Sequence, residues 1–151
     1  MWDKVDRKID YVKIDEWDTW SMDSTLSPII LPMLKQLKAE KHGYGFVQDE
    51  DVPEELRSTA EGVTKEENSW DSSAEKRFDY ILDEMIFAFE HLVDDSWEEE
   101  FWSGEYGTGK TFHEMMETST KKWDMAGQQV VEDRINNGTM LFGKYFRSLW
   151  D

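Results

Sequence analysis

The sequence predicts an all-α protein: a single domain, an irregular helical bundle around one central helix at about residues 74–95. Three observations predict it. The stretch FDYILDEMIFAFEHL, residues 78–92, sets Phe78, Ile81, Leu82, Met85, Ile86, Phe89 and Leu92 at steps of three and four. That spacing lays one broad apolar stripe along a helix. No segment alternates apolar and polar residues for long enough to build a sheet, and there are no internal repeats. Finally, 151 residues can bury a real core without staples, and the chain has no cysteine to supply one.

Taken in order, residues 2–14 place Trp2, Val5, Ile9 and Val12 at near-helical spacing, which predicts a first amphipathic helix with an extended end at 11–14. Residues 15–23 read as a loop pinned by Trp17 and Trp20. A second helix follows, with Asp23, Ser24 or Thr25 as its cap and Ile29, Ile30, Met33, Leu34 and Leu37 as its apolar face. Pro28 suits its first turn, Pro32 is expected to kink or restart it, and Gly43 to stop it. Residues 44–52 connect to a short acidic helix around residues 51–56, and 61–73 read as a flexible loop. The central helix is capped by Ser72 or Ser73, and 96–102 form a further acidic helical turn. Residues 103–123 look irregular. Asp124 caps a helix over 125–135, stopped by Asn136, Asn137 and Gly138, and a last helix over 139–150 docks on the central one.

Charge is uneven. The net charge is −17, and residues 48–105 hold 20 acidic and 4 basic side chains. Such a block repels nucleic acid and anionic membrane and attracts basic partners, although a solvated acidic face that aids solubility is the plainer reading. No apolar run approaches the ~20 residues needed to span a bilayer. The charged start, MWDKVDRKID, is unlike a signal peptide, and the missing cysteines fit a reducing compartment. Eight tryptophans are present, and core positions are the expectation for each.

Gly104-Glu105-Tyr106-Gly107-Thr108-Gly109-Lys110-Thr111 satisfies the G-x-x-x-x-G-K-[ST] pattern of phosphate-cradling loops. That chemistry needs a buried strand before the loop, yet Glu98, Glu99 and Glu100 precede it and would repel a phosphate. The match is read as fortuitous. Asp79, Asp83 and Glu84 invite a metal reading, but there is no Glu-x-x-His pair, and a solvated acidic edge is favoured. His42, His91 and His113 are too scattered to name a catalytic base, and no motif implies a cofactor. The most suggestive constellation joins Trp17, Asp18, Trp20 and Asp23 to the stripe Lys35, Lys38, Lys41 and His42. Aromatic faces stack bases, lysines meet phosphates, and the aspartates accept from a ribose or base edge.

The stretches IDEWDTWSMDSTLSPIILPMLKQLK, KHG followed by DEDVPEELRST, FDYILDEMIFAFEHL and RINNGTMLFGKYFRSLWD resemble a family of small acidic proteins of T4-like tailed phages. The resemblance runs through most of the chain in the same order, except about 105–123. That family brings no established fold, activity or site residues to transfer. The resemblance implies a phage origin and a role in the cytoplasm of an infected bacterium. By analogy with small acidic phage accessory proteins, the first expectation is a non-catalytic counter-defence or host-takeover protein that sequesters a nucleotide-type ligand at those eight residues. The second is an acidic DNA mimic that inhibits a basic host protein. The third is a magnesium-dependent nucleotide hydrolase using Asp79, Asp83 and Glu84.

Overall fold

A computed structural model describes residues 11–67 and 69–150. It is helical, 63% helix against 4% strand, which establishes the all-α class. Helix α1 spans Met22–Glu40, α2 Ala74–Val93, α3 Phe112–Thr118 and α4 Met125–Tyr145. Between α2 and α4 lie two-residue strands β1, Trp102–Ser103, and β2, Lys122–Trp123, paired antiparallel. Helix α2 is central, with α1 and α4 packed on it. Most of the expected first helix lies outside the described residues, and its described end, 11–14, has no regular structure.

The stripe on α2 behaves as its period dictates. Phe78, Ile81, Leu82 and Met85 are fully buried, and Leu34 from α1 with Leu141 and Tyr145 from α4 close over them. Each such side chain contributes about 1.5–3 kcal/mol by leaving water. The tryptophans do not join this core. None of the seven described is buried; instead Trp97, Phe101, Trp123 and Trp102 meet edge-on in a chain along the rim, at centroid distances of 5.9, 6.3 and 4.6 Å.

Both proline and glycine expectations need correction. Helix α1 begins at Met22, with Ser21 at its N-cap, and runs unbroken through Pro28 and Pro32. Both prolines are solvent-exposed, so water can reach the carbonyls of Ser24 and Pro28 that lose their donors, while the opposite face stays packed on α2. Nor does Asn136-Asn137-Gly138 end a helix: α4 continues across it to Tyr145. Gly138 is buried where α4 crosses α2, and a Cβ there would stand 2.3 Å from the Glu84 carbonyl oxygen and 2.6 Å from the Ala88 Cβ. Gly138 permits a close helix crossing.

Two polar clusters anchor the connectors. Arg77, on the first turn of α2 and only 2% exposed, donates to Asp71 at 2.9 and 2.5 Å and to the Leu56 carbonyl at 3.1 Å. The guanidinium holds the Asp71 carboxyl below its usual range, so this loop is fastened to α2. At the end of α4 the Tyr145 hydroxyl donates to Asp51 and accepts from the Gln48 amide at 3.0 Å, and Lys144 pairs with Asp51 at 2.7 Å.

Gly138→Ala should destabilise the protein. The helix-propensity gain of about 1 kcal/mol is smaller than the ~1–3 kcal/mol cost of overpacking against backbone. Gly143→Ala, with nothing within 4 Å of its Cβ, should stabilise by about 0.5–1 kcal/mol. Urea denaturation of both variants checks the pair. Burial, then the Asp51 carboxylate, pushes the Tyr145 pKa up to about 12. A phenol raised above its unfolded value of ~10 adds stability that is complete below about pH 10 and lost as pH rises towards 12. Denaturation at both ends of that window should show a loss that Tyr145→Phe lacks.

Candidate functional site

The eight sequence-predicted ligand residues fall into two separate groups. Asp18 closes a capping box with Asp15, accepting its amide at 2.7 Å, and this fixes the turn Glu16–Thr19 ahead of α1. On that turn Trp17 and the following Trp20 meet edge-on at 4.5 Å, and both are exposed. Asp23 accepts from the Ser21 hydroxyl at 2.6 Å, and that bond, with the Ser24 backbone, holds its carboxyl below the usual range. Lys35, Lys38, Lys41 and His42 lie at the other end of α1. Twelve residues of helix separate Lys35 from Asp23, about 18 Å of rise. The tryptophans and lysines therefore do not share one pocket.

The lysines face α2 instead. Lys35 pairs with Glu90 at 2.6 Å, Lys38 with Asp83, and Lys41 with Asp79 at 3.1 Å and Glu75 at 3.2 Å. The pairs run in opposite order along the two chains because the helices are antiparallel, and the long, flexible lysine side chains bridge the unequal spacing of the carboxylates. Burial of Lys41 alone would lower its pKa; Asp79 and Glu75 outweigh this and raise it. On the opposite side Glu84, expected on a solvated edge, is only 6% exposed and takes Arg134 of α4 in a fork at 2.8, 3.1 and 3.2 Å. Asp79, Asp83 and Glu84 are thus each held by a cation. Among the described residues no group of three or more His, Asp or Glu is placed to hold a metal ion.

Several amides of the Gly104–Thr111 loop are taken by side chains. Thr108 donates to the Thr118 hydroxyl at 2.8 Å and Lys110 to the Glu114 carboxylate at 2.8 Å, while the Glu105 amide reaches the Thr120 hydroxyl at 3.0 Å. Gly104 is required by its left-handed φ of +78°. The loop follows a two-residue strand and precedes a seven-residue helix, so it lacks the frame of a phosphate cradle.

A different pocket, of about 320 Å³, forms where the start of α1, the end of α2, the 3-10 segment Asp95–Phe101 and α4 meet. Asp23, Asp95, Glu98 and Glu132 line it, with His91 and Trp97. Asp94 caps the 3-10 segment by accepting from the Ser96 amide at 3.0 Å. The Trp97 indole donates to the His91 carbonyl at 3.2 Å, and His91 Nδ1 donates to the Phe87 carbonyl at 2.8 Å. The two rings meet edge-on at 5.6 Å. None of the four carboxylates has an ion-pair partner among the described residues, and the C-terminal end of α2 adds its negative dipole. Such a pocket suits a cationic group seated against aromatic edges. Only Asp23 of this set was among the predicted site residues. Trp97 inside an acidic turn just after His91 was the available signal; Glu132 had none.

No protein-family model matches the chain, and no curated protein or solved structure matches it.

The lysine pairs should differ in weight. Lys35 and Glu90 are about half exposed, so Lys35→Ala should change stability by no more than ~0.5 kcal/mol. The Lys41 side chain is 8% exposed between two carboxylates, and Lys41→Ala should cost about 1–2 kcal/mol. Denaturant titrations of the two variants test this ordering.

Proposed function

We propose that this chain is a non-catalytic binding protein that engages a basic protein partner through its acidic face, with carboxylates standing in for nucleic-acid phosphates. The observation that carries the reading is the division of its charges. The lysines of α1 are occupied by α2, while Asp23, Asp95, Glu98 and Glu132 converge on one pocket without a cation. In this reading a lysine or arginine of the partner enters the pocket, with Trp97 and His91 beside it. Glu99, Glu100 and Glu105 extend the negative field around it. The nucleotide-sequestering reading has less support, because Trp17 and Trp20 are exposed but stand apart from the lysines. The resemblance to T4-like phage proteins gives the setting: a host protein bound in the infected cell's cytoplasm, as counter-defence or host takeover.

The test is titration of the full chain with an arginine-rich peptide, followed by tryptophan fluorescence. Binding should weaken by an order of magnitude or more between low and physiological salt, and duplex DNA should compete for the peptide. Asp95→Asn with Glu98→Gln should weaken it about tenfold, whereas Glu66→Gln with Glu67→Gln, outside the pocket, should have little effect. Binding indifferent to both salt and the pocket pair would refute the proposal.

A further inference from the structure

The outward side of α1 is unlike the rest of the surface. Met22, Leu26, Ile29 and Met33 follow one another at helical steps of four, three and four, and are 58%, 42%, 58% and 66% exposed. The helix buries Ser27 and Leu34 on another side, so this is a second apolar stripe, one that α2 does not use. No charged residue occurs from Ser24 to Leu34, in a chain in which 34% of residues are charged. Met33 also borders an apolar groove of about 710 Å³ between α1 and α4, with Leu37, Phe142, Phe146 and Leu149 along it. Phe146 is 62% exposed. An apolar surface this continuous marks an interface.

We propose that a second copy of this chain covers it, through an antiparallel pair of α1 helices related by a two-fold axis. The stripe reads almost the same in both directions. Placing Met22 against Met33 of the other copy sets Leu26 against Ile29, and repeats both contacts across the axis. The same register brings Trp20, 80% exposed just before α1, level with position 35 of the other copy, beside the groove bordered by Met33, Leu37 and Phe146. An indole fits that groove, and tryptophan in an apolar pocket is a common anchor of interfaces. Charge selects the occupant. At −17 overall, two copies repel wherever their acidic blocks face each other, and the uncharged stripe is where they can meet. A basic partner gains nothing there. With roughly 150–250 Å² for a large side chain, the exposed fractions of the stripe and Phe146 come to on the order of 500–600 Å² per copy, before Trp20 is added. That approaches the ~600–800 Å² per partner of stable interfaces.

Sedimentation velocity of the full chain from about 1 to 100 µM, at low and high salt, tests the pairing. A dimer that persists or tightens at high salt is expected, the reverse of the salt response of a basic partner, so the two proposals fail separately. Ile29→Asp should give a monomer with an unchanged circular dichroism spectrum, and Trp20→Ala should weaken dimerisation at least about tenfold. Val130→Asp, at an exposed position on α4, should leave the dimer intact. A wild-type chain monomeric throughout, an Ile29→Asp dimer, or dissociation by Val130→Asp would each overturn the proposal.

Discussion

A carboxylate-rich helix lies in the middle of this fold, and its neighbours bring the cations that let it be packed on both sides. Helix α2 carries Glu75, Asp79, Asp83, Glu84 and Glu90 beside its apolar stripe. Left together, these charges would oppose any close contact with an acidic chain. Lys35, Lys38 and Lys41 meet four of them along α1, and Arg134 meets Glu84 from α4. The exposed pairs are worth little individually, so their main effect is on alignment: they remove repulsion at one register of the two helices and leave it at others. The buried Glu84 is different. Its fork with Arg134, whose guanidinium lies 3.7 Å over the Phe87 ring, gives hydrogen-bond partners to a carboxylate that the helix crossing shuts away from water. The pair sits beside the Gly138 crossing, so electrostatics and close packing act at one place.

This neutralisation shapes the remaining surface. Helices α1, α2 and α4 hold 9 acidic and 6 basic residues, so most of the −17 excess lies outside them, in the turn that follows α2 and in the loops before it. The turn Asp95–Phe101 is held in place by Asp94, by the Trp97 indole bond and by the row of aromatic edges leading to Trp123. Its carboxylates therefore stand on an ordered support, which favours a partner that binds without first having to order the site. Aromatic residues that the core did not need serve as that support. The acidic pocket and the apolar side of α1 would take opposite kinds of contact, one screened by salt and one not, and a dimer would present two acidic faces to a target.

The sequence by itself determined the helical class, the extent of α2 to within two residues, the acidic turn after it and the Asp124 cap of α4, because each depends on neighbours no more than a few positions away. A 3.6-residue period is a local property, and so is a cap. What only the tertiary structure decided is what α2 demands of distant segments. Pro28 read locally as a first turn, and Pro32 and Asn136-Asn137-Gly138 as breaks, yet α1 and α4 run through all of them: the exposed side of α1 lets water reach the freed carbonyls, and Gly138 is needed where two backbones nearly touch. The lysine stripe read locally as a phosphate site, and the cation it offers is taken by carboxylates some 34 to 55 positions along the chain. The acidic pocket likewise needed Asp23, Glu98 and Glu132 from three elements. Charges pair by distance in space, and a linear pattern does not contain that distance.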